Sequence, residues 1–328
     1  MPPFYSALRL TCAGGLLLFF CACNALDRAG SDGGFDLARA RHEAAHKPRR
    51  IIMNNDGNDC IVNFATEEYT ATPQALLARR TTPLLGSQVD AIFYCTGVFN
   101  VYTNHSGVTE MRDHLYGERR TFASELYANC GKDPLTIMIE FCRKHEIEIF
   151  WSMRMNDTHD SSRAYRELMA QWKKDHPELL MGREGERFAA GNGRWSAVNY
   201  GEPEVREKVY RILEDVITRY DIDGVELDFF RHPVYFKSQM LGGRASHEEC
   251  EAMTALVARV RALCDRVAKR TAAPDPLGRA RAGQRVVLAG HWSRPGDVAK
   301  GTAGRHSCRR RLHPPGAVEE LGGARPQV

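Results

Sequence analysis

The chain alternates short apolar runs with longer segments in which apolar residues recur every three or four positions. The apolar runs lie in RRIIMNND, VDAIFYC, IEIFWSMR and DGVELDFF, and each one ends in a polar cluster. Short apolar runs indicate buried strands, and the three-to-four spacing indicates amphipathic helices. Strands that alternate with helices predict parallel βα units. We therefore expect the α/β class and a (β/α)8 barrel of the TIM type, with its site at the carboxyl ends of the strands.

A doubly wound open sheet is the alternative architecture for the same alternation. Such a sheet usually has a glycine-rich turn after its first strand, and Asn54-Asn55-Asp56-Gly57 lacks the G-x-G-x-x-G pattern. Ser246 and Glu249 have the spacing of a capping box and predict the start of the last helix. The four predicted helices lie within residues 72–85, 133–147, 202–221 and 246–270.

The first 25 residues have the layout of a secretory signal, in which Arg9 precedes a short apolar core and small residues. That core is shorter than the roughly 20 residues of a membrane span. The context of Cys23 resembles a bacterial lipoprotein cleavage site, so Cys23 is a candidate for lipidation; a plain cleaved signal is the alternative. Residues 26–49 are polar and predict a linker. We expect an exported protein, periplasmic or a lipoprotein at the outer membrane or cell surface, that touches a membrane only through this signal or anchor.

Composition supports a soluble globular domain, with 43% apolar and 26% charged residues in a chain of 328. The net charge of +4 comes largely from Arg-rich segments near the C-terminus, so we expect no nucleic-acid partner. Ten cysteines form no CxxC pair and no zinc-like spacing. Free thiols are therefore expected in preference to a disulfide framework.

The composition changes after about residue 272. Residues 273–328 are rich in Arg, Gly, Pro and Ala, which predicts disorder, and a basic binding tail is one alternative. When the codons are read one base out of register, however, this segment is compatible with a strand, an amphipathic helix and a second strand. We expect a frameshifted reading of the later barrel, which leaves residues 50–272 as the N-terminal part of an incomplete barrel with little or no activity.

Two carboxylates lie inside the fourth apolar run. In DGVELDFF, alternation places Glu226, Asp228 and Phe230 on one face of the strand and Val225 and Leu227 on the other. Alternate Cα atoms on a strand are roughly 6.6 Å apart. The two carboxylates are therefore expected to perturb each other and to raise one pKa towards that of a general acid.

The stretch YDIDGVELDFF resembles the fourth-strand signature of sugar-cleaving TIM barrels. It departs from the family 18 chitinase pattern, because that family's proton-donating Glu would fall on Phe230. It is more similar to the family 10-type glycosyl-hydrolase-like proteins of exported bacterial lipoproteins, over roughly residues 50–271. That resemblance implies a glycoside hydrolase acting on a poly- or oligosaccharide, with Asp228 as nucleophile or transition-state stabiliser and Glu226 as its acid/base neighbour or a hydroxyl ligand. A purely structural pairing of both carboxylates with an inward Arg154 is the alternative.

Polar and aromatic residues at the other strand ends suit sugar recognition, since aromatic faces stack on sugars and amides bind hydroxyl groups. Asp157 capping the next helix and His159 as a simple loop residue are the alternatives. No fixed-spacing motif indicates a metal, and we expect neither metal nor cofactor. A non-catalytic carbohydrate-binding barrel and a metal-dependent hydrolase or deacetylase remain alternative functions. The predicted substrate-binding residues are Arg154, Asn156, Asp157, His159, Asn55, Asp56, Tyr94 and Arg231.

Overall fold

The computed structural model describes residues 36–61, 70–115, 119–189, 194–271 and 285–289. Its helices are α1 (Leu37–His46), α2 (Asn58–Ile61), α3 (Pro73–Arg80), α4 (Phe122–Cys130), α5 (Pro134–Lys144), α6 (Gln171–Asp175), α7 (Pro203–Arg219), α8 (Lys237–Met240) and α9 (His247–Thr271). Its strands are β1 (Ile51–Asn55), β2 (Val89–Cys95), β3 (Gly97–Val98), β4 (Val101–Tyr102), β5 (Glu110–Met111), β6 (His114–Leu115), β7 (Arg119–Arg120), β8 (Glu148–Arg154), β9 (Gly224–Asp228) and β10 (Arg285–Ala289). Short 3₁₀ turns lie at Thr82–Leu84, His159–Ser161, Arg163–Leu168 and Pro177–Leu179.

Five strands form one parallel sheet in the order β1-β2-β8-β9-β10. The strands follow chain order without reversal, whereas a doubly wound sheet reverses its order at a switch point. This is the arrangement of consecutive βα units in a (β/α)8 barrel. The α/β prediction is confirmed, and within the described ranges the barrel is incomplete, since its sheet is open.

The two faces of the sheet differ in what they contact. Trp151, Val225 and Leu227 are fully buried in one large core with apolar residues of α5, α7 and α9. The alternate residues Phe150, Ser152 and Glu226 face the other side, which would be the interior of a closed barrel. We call this side the lumen face. The predicted alternation of Glu226 and Asp228 against Val225 and Leu227 is therefore the one observed.

Side chains on the lumen face form successive layers along the strands. At the amino ends, Glu148 accepts hydrogen bonds from Arg49 at 2.5 Å and 3.2 Å. The rings of Phe93 and Phe150 pack above this ion pair, with centroids 4.6 Å apart. Ser152 is the register partner of Glu226 in the following layer. An ion pair and two aromatic rings thus cover the lumen face at the amino ends of the strands, and Ser152 and Glu226 lie closer to the carboxyl ends.

The long helices begin where the sequence predicts. Ser246 and Glu249 form the predicted capping box: the Ser246 hydroxyl accepts from the Glu249 amide at 3.2 Å, and the Glu249 carboxylate accepts from the Ser246 amide at 2.7 Å. Pro203 opens α7, which buries Val205, Val209 and Leu213 against the sheet. Proline suits a first helical turn because its missing N–H is unpaired there anyway.

Part of the predicted linker is helical. Residues 37–46 form α1, whose first turn is capped by the Asp36 carboxylate accepting from the Arg39 amide at 3.0 Å. Ala44 is buried, and Arg41 forms an ion pair with Asp265 of α9 at 3.4 Å. The polar composition concealed this helix because only a narrow face of it packs against the domain.

The predicted tail contributes one strand. Residues 285–289 form β10, which pairs in parallel with β9 from Gly224 to Asp228. The remainder of residues 273–328 lies outside the described residues, as do the predicted signal and Cys23. In the described ranges, Cys60, Cys95, Cys130, Cys142, Cys250 and Cys264 are free thiols. No helix of those ranges has both the length and the apolarity needed to cross a membrane.

Candidate functional site

The candidate site lies at the carboxyl ends of β8 and β9. Arg154 and Asp228 are register partners on these two strands, so their side chains lie side by side at the top of the lumen face. The loop after β8 turns back over this layer, and Arg154 donates to the Asp157 carboxylate at 3.0 Å. One guanidinium therefore lies between a loop carboxylate and a strand carboxylate.

Asp157 is the most strongly held anion of the site. Its carboxylate is 1% exposed and accepts from the His159 amide at 2.9 Å and from the His159 Nδ1 at 2.6 Å. Burial alone would raise the pKa of Asp157, but the His159 hydrogen bonds and the Arg154 charge outweigh it and hold the pKa well below its usual value. Asp157 is thus ionised throughout the neutral range.

Two imidazoles adjoin this carboxylate and have opposite tautomers. Arg231 donates to the Nε2 of His159 at 3.2 Å, and because a guanidinium can only donate, Nε2 carries the lone pair and Nδ1 the proton. The Nδ1 of His232 accepts from the Thr158 amide at 3.0 Å, which places its proton on Nε2. Burial lowers the pKa of His232 to about 4. The His232 ring is therefore neutral, and the centroids of the His232 and His159 rings are 5.2 Å apart.

The two carboxyl groups of β9 have different surroundings. Asp228 is half-buried, and its carboxylate accepts from the Phe230 amide at 2.8 Å. Glu226 lies one layer deeper and is 4% exposed; burial and then the Asp228 charge raise its pKa to about 7, against the opposing effect of the Ser152 hydroxyl. Its Oε2 atom has no hydrogen-bond partner within the part of the chain that the structure describes. Glu226 therefore keeps its proton up to about pH 7.

Exposed aromatic rings flank these polar groups. Phe230, two residues after Asp228, is 73% exposed, and Tyr165 is 43% exposed. The Tyr165 ring meets the His159 ring edge-on with centroids 5.9 Å apart. The flat rings of these exposed side chains suit the apolar faces of sugars.

Buried polar residues fix the loop that carries Asp157 and His159. Lys173 forms a buried ion pair with Asp160 at 2.6 Å and also donates to the Asp157 carbonyl at 3.2 Å. Asn156 donates to the carbonyls of Val198 and Val234 at 3.1 Å and 2.7 Å and accepts from the Val198 amide at 3.0 Å. Asn156 was predicted to bind substrate, but its fully buried amide joins three segments of chain and supports the site from behind.

Two further predicted substrate-binding residues point away from the lumen. Tyr94 shares the face of Ile92 in the helix-side core, and its hydroxyl contacts the Asp59 carboxylate at 3.4 Å. Asn55 is 1% exposed and is held by Asp59 and by the Gly57 amide. In both cases the prediction placed the side chain on the wrong face of its strand, because each residue lies one position away from a residue of the lumen face.

Asp56 lies at the end of β1 and remains accessible. It pairs with Arg80 and accepts from the Asn58 amide at 3.3 Å. Burial alone would raise the pKa of Asp56, but the Asn58 hydrogen bond and the charges of Arg80 and Arg154 lower it below its ordinary value. The structure thus brings together Arg154, Asp157, His159, Asp228 and Arg231 above Glu226, with Asp56 within electrostatic range.

The donor set of Asp157, His159 and His232 resembles that of a metal site, because one ligand atom from each lies within 4.8 Å of the others. The surroundings do not fit a cation. Arg154 already pairs with the Asp157 carboxylate, and the Thr158 amide occupies the lone pair of the His232 Nδ1. These contacts indicate a hydrogen-bonded cluster in which a cation would meet an adjacent guanidinium.

Sequence reasoning missed four residues of this region: His232, Phe230, Tyr165 and Arg194. His232 and Phe230 directly follow Asp228 in FFRHP, so their position just after the strand was the available signal. Arg194 donates to the Thr158 hydroxyl at 2.9 Å from a segment distant in sequence. Nothing in the sequence around Arg194 indicated this hydrogen bond, and nothing around Tyr165 indicated that its ring would meet His159.

Comparison with known proteins gives matches to part of this chain, including the strands of the site. Residues 112–255, which include β8, β9 and the loops of the site, match the family model described as Glycosyl hydrolase-like 10. The glycosyl hydrolase YngK of Bacillus subtilis (strain 168) is 29% identical over 122 residues, which make up 36% of this chain and 22% of that protein. The predicted resemblance to glycosyl-hydrolase-like proteins is confirmed for this part of the chain.

Solved structures of glycosidases are similar to a larger part of the chain, at low identity. The α-L-fucosidase isoenzyme 2 from Paenibacillus thiaminolyticus has a TM-score of 0.38 and 14% identity, over 74% of this chain and 32% of that one. The α-galactosidase TtGalA from Thermus thermophilus, in complex with p-nitrophenyl α-D-galactopyranoside, has a TM-score of 0.37 and 13% identity, over 78% and 42%. The chain therefore spans less than half the length of each of these proteins and about a fifth of YngK.

Proposed function

We propose that this chain, in which residues 112–255 match Glycosyl hydrolase-like 10, carries the active-site strands of a hydrolase for a poly- or oligosaccharide. The observation that carries the proposal is the Glu226 and Asp228 pair at the lumen end of β9. The pair has a raised pKa at Glu226 and a half-buried carboxylate at Asp228. Glycoside hydrolysis uses two carboxyl groups whose environments separate their pKa values.

Asp228 is the member of the pair that reaches the accessible part of the lumen face. Its carboxylate is oriented by the Phe230 amide and lies beside the Arg154 guanidinium. We assign it the role of nucleophile or stabiliser of the oxocarbenium-like transition state. Glu226, one layer below, keeps its proton up to about pH 7 and so limits the negative charge beside Asp228.

The aromatic rings at the rim supply the sugar-binding surface of this proposal. Phe230 would stack on the sugar nearest Asp228, and Tyr165 would contact the chain beyond His159. Arg231 is exposed between these rings and offers guanidinium donors to sugar hydroxyl groups. A flat apolar ring beside donors and acceptors is a common carbohydrate site.

The decisive variant is Asp228→Asn, compared with Asp175→Asn on the exposed surface of α6. In the chain with its reading frame restored after about residue 273, hydrolysis of a glycan panel should disappear in Asp228→Asn while oligosaccharide binding persists, because the amide keeps the shape of the side chain but loses its charge. Asp175→Asn should leave both unchanged. Hydrolysis that survives in Asp228→Asn would contradict the assignment.

A non-catalytic carbohydrate-binding barrel is the second candidate, and the deep burial of Glu226 favours it. In that case the same panel shows binding that Phe230→Ala weakens, with no hydrolysis by any form of the protein. Binding without turnover in a frame-restored chain would decide for this candidate.

We further infer that residues from about 273 onward are read out of frame and that this impairs the present chain. The nucleotide sequence across the junction tests this, because an open displaced frame must continue beyond it. Export with lipidation at Cys23 is a separate proposal, tested by metabolic labelling with a fatty acid. Label that is lost in Cys23→Ala supports it, and label that persists contradicts it.

A further inference from the structure

The arrangement of Asp157 and His159 is more than the proposed carboxyl pair requires. Asp157 is buried, ionised and fixed by Arg154, while His159 extends from it to the rim, where its side chain is 30% exposed. A buried carboxylate that holds one nitrogen of an accessible imidazole is the geometry of a general base. We propose that Asp157 and His159 form a general-base dyad that takes the proton from the water attacking the sugar.

The hydrogen bonds already fix the tautomer that such a base needs. The His159 Nδ1 proton is donated to Asp157 at 2.6 Å, and the Nε2 lone pair points outward to Arg231 at 3.2 Å. Arg231 is exposed, so a water molecule can replace its guanidinium at Nε2 without unfolding the loop.

The groups facing His159 support this role from each neighbouring segment. Asp157 and Thr158 precede it, the His232 ring packs against it edge-on at 5.2 Å, and the Tyr165 ring contacts its other side at 5.9 Å. His232 is neutral in its contact with the Thr158 amide, so it does not compete for the proton. Arg231 and Asp157 are the charged partners of the ring, one at each nitrogen.

The inference rests on the proposed glycoside hydrolysis and adds a proton-transfer group to it. The Nε2 lone pair of His159 accepts a proton from water as the water oxygen bonds to the anomeric carbon. The bond from that carbon to the leaving oxygen breaks, and its electron pair stays on the oxygen. Because water attacks directly, Asp228 acts in this step as the stabiliser of the transition state and not as the nucleophile. The leaving oxygen takes a proton from a second water molecule, and the hydroxide so formed takes the proton from the His159 imidazolium.

Nitrogen-15 spectroscopy of histidine-labelled full chain tests the dyad without turnover. The resonance that disappears in His159→Gln should show the tautomer protonated at Nδ1. It should keep that tautomer in Arg231→Ala and lose it in Asp157→Ala. A wild-type His159 protonated at Nε2 overturns the dyad. Stoichiometric zinc binding that is lost in both His159→Gln and His232→Gln also overturns it, because the three side chains would then be metal ligands.

Kinetics of the form that hydrolyses the glycan test the catalytic step. His159→Gln should lower kcat by about 100-fold or more, the usual size of a general-base contribution, with oligosaccharide Kd unchanged. His247→Gln, on the exposed start of α9, is the matched control. Unchanged kcat in His159→Gln together with lost turnover in Asp228→Asn overturns this inference and leaves the proposed function standing. Absence of hydrolysis in every form overturns the proposed function itself, and the tautomer still decides the dyad.

Discussion

Replacing Glu226 by glutamine should change how the stability of the fold depends on pH. The side chain is 4% exposed, and its pKa rises from an ordinary 4.5 to about 7, chiefly because burial penalises the charged form. The proton on Glu226 therefore contributes stability fully below the unfolded-state pKa. That contribution is lost as the pH rises through the folded-state value.

The magnitude follows from the size of the pKa change. The difference between 4.5 and about 7 is about 2.5, and one unit of pKa corresponds to roughly 1.4 kcal/mol, which gives ~3 kcal/mol. Glutamine keeps the shape but carries no charge at any pH. Relative to the wild type, Glu226→Gln should therefore gain about 2.5 kcal/mol in free energy of unfolding between about pH 5 and pH 8.5, because pH 5 already lies above the unfolded-state pKa of 4.5.

Urea unfolding at both pH values measures this difference, with Glu167→Gln as the control. Glu167 is exposed, so its replacement should give the same pH dependence as the wild type. Parallel stability curves for Glu226→Gln and the wild type would refute the reasoning, because Glu226 would then ionise normally in the folded protein. A low pKa for Glu226 would also remove its proposed role as proton holder for Asp228.

Three further predictions concern the loop, the rim and the acid limit of stability. Lys173→Ala leaves Asp160 buried without its cation, so the free energy of unfolding measured in urea titrations should fall by about 3 to 5 kcal/mol. Replacement of the exposed Lys174 by alanine should change it little, and equal effects of the two variants would contradict the buried pair. Phe230→Ala should weaken oligosaccharide binding about fivefold, the effect of losing ~1 kcal/mol of ring contact, with an unchanged Tm because the ring is largely exposed; unchanged calorimetric Kd argues against stacking. Asp157 has a lowered pKa, so its stabilising effect is present above the unfolded-state pKa and is lost as the pH falls through the folded-state pKa. In thermal melts, the Tm of Asp157→Asn should therefore fall less with acidification than the wild-type Tm, and an equal dependence of Tm on pH in the two proteins would contradict this.

The sheet was predictable because each of its strands either is apolar on both faces or has apolar residues at alternate positions. The run from Val89 to Cys95 and the run from Glu148 to Arg154 both read as strands, and the observed register keeps each polar end at the same edge. Glu226 and Asp228 could be placed on the lumen face because Val225 and Leu227 leave only one face for a core. When every second residue of a strand is apolar, the alternation is strong evidence for which face of the strand is buried.

The same rule failed where strand ends carry polar residues on both faces. Asn55 and Tyr94 each lie one position from a lumen-facing residue, and a one-residue error in parity reverses the side to which they point. Asn156 shows a different limit: its three hydrogen bonds go to Val198 and Val234, so its structural role depends on contacts distant in sequence. Helix α1 was hidden because half of its ten residues are polar and only Ala44 is buried.

The central claim is that Asp228 is the carboxylate that acts on a glycosidic bond. Its most direct measurement is glycan hydrolysis by the frame-restored chain and by the Asp228→Asn variant of that chain, with oligosaccharide binding recorded for both. The account predicts hydrolysis that the variant loses while its binding remains. Equal hydrolysis by the two proteins, or binding with no hydrolysis by either, would contradict it.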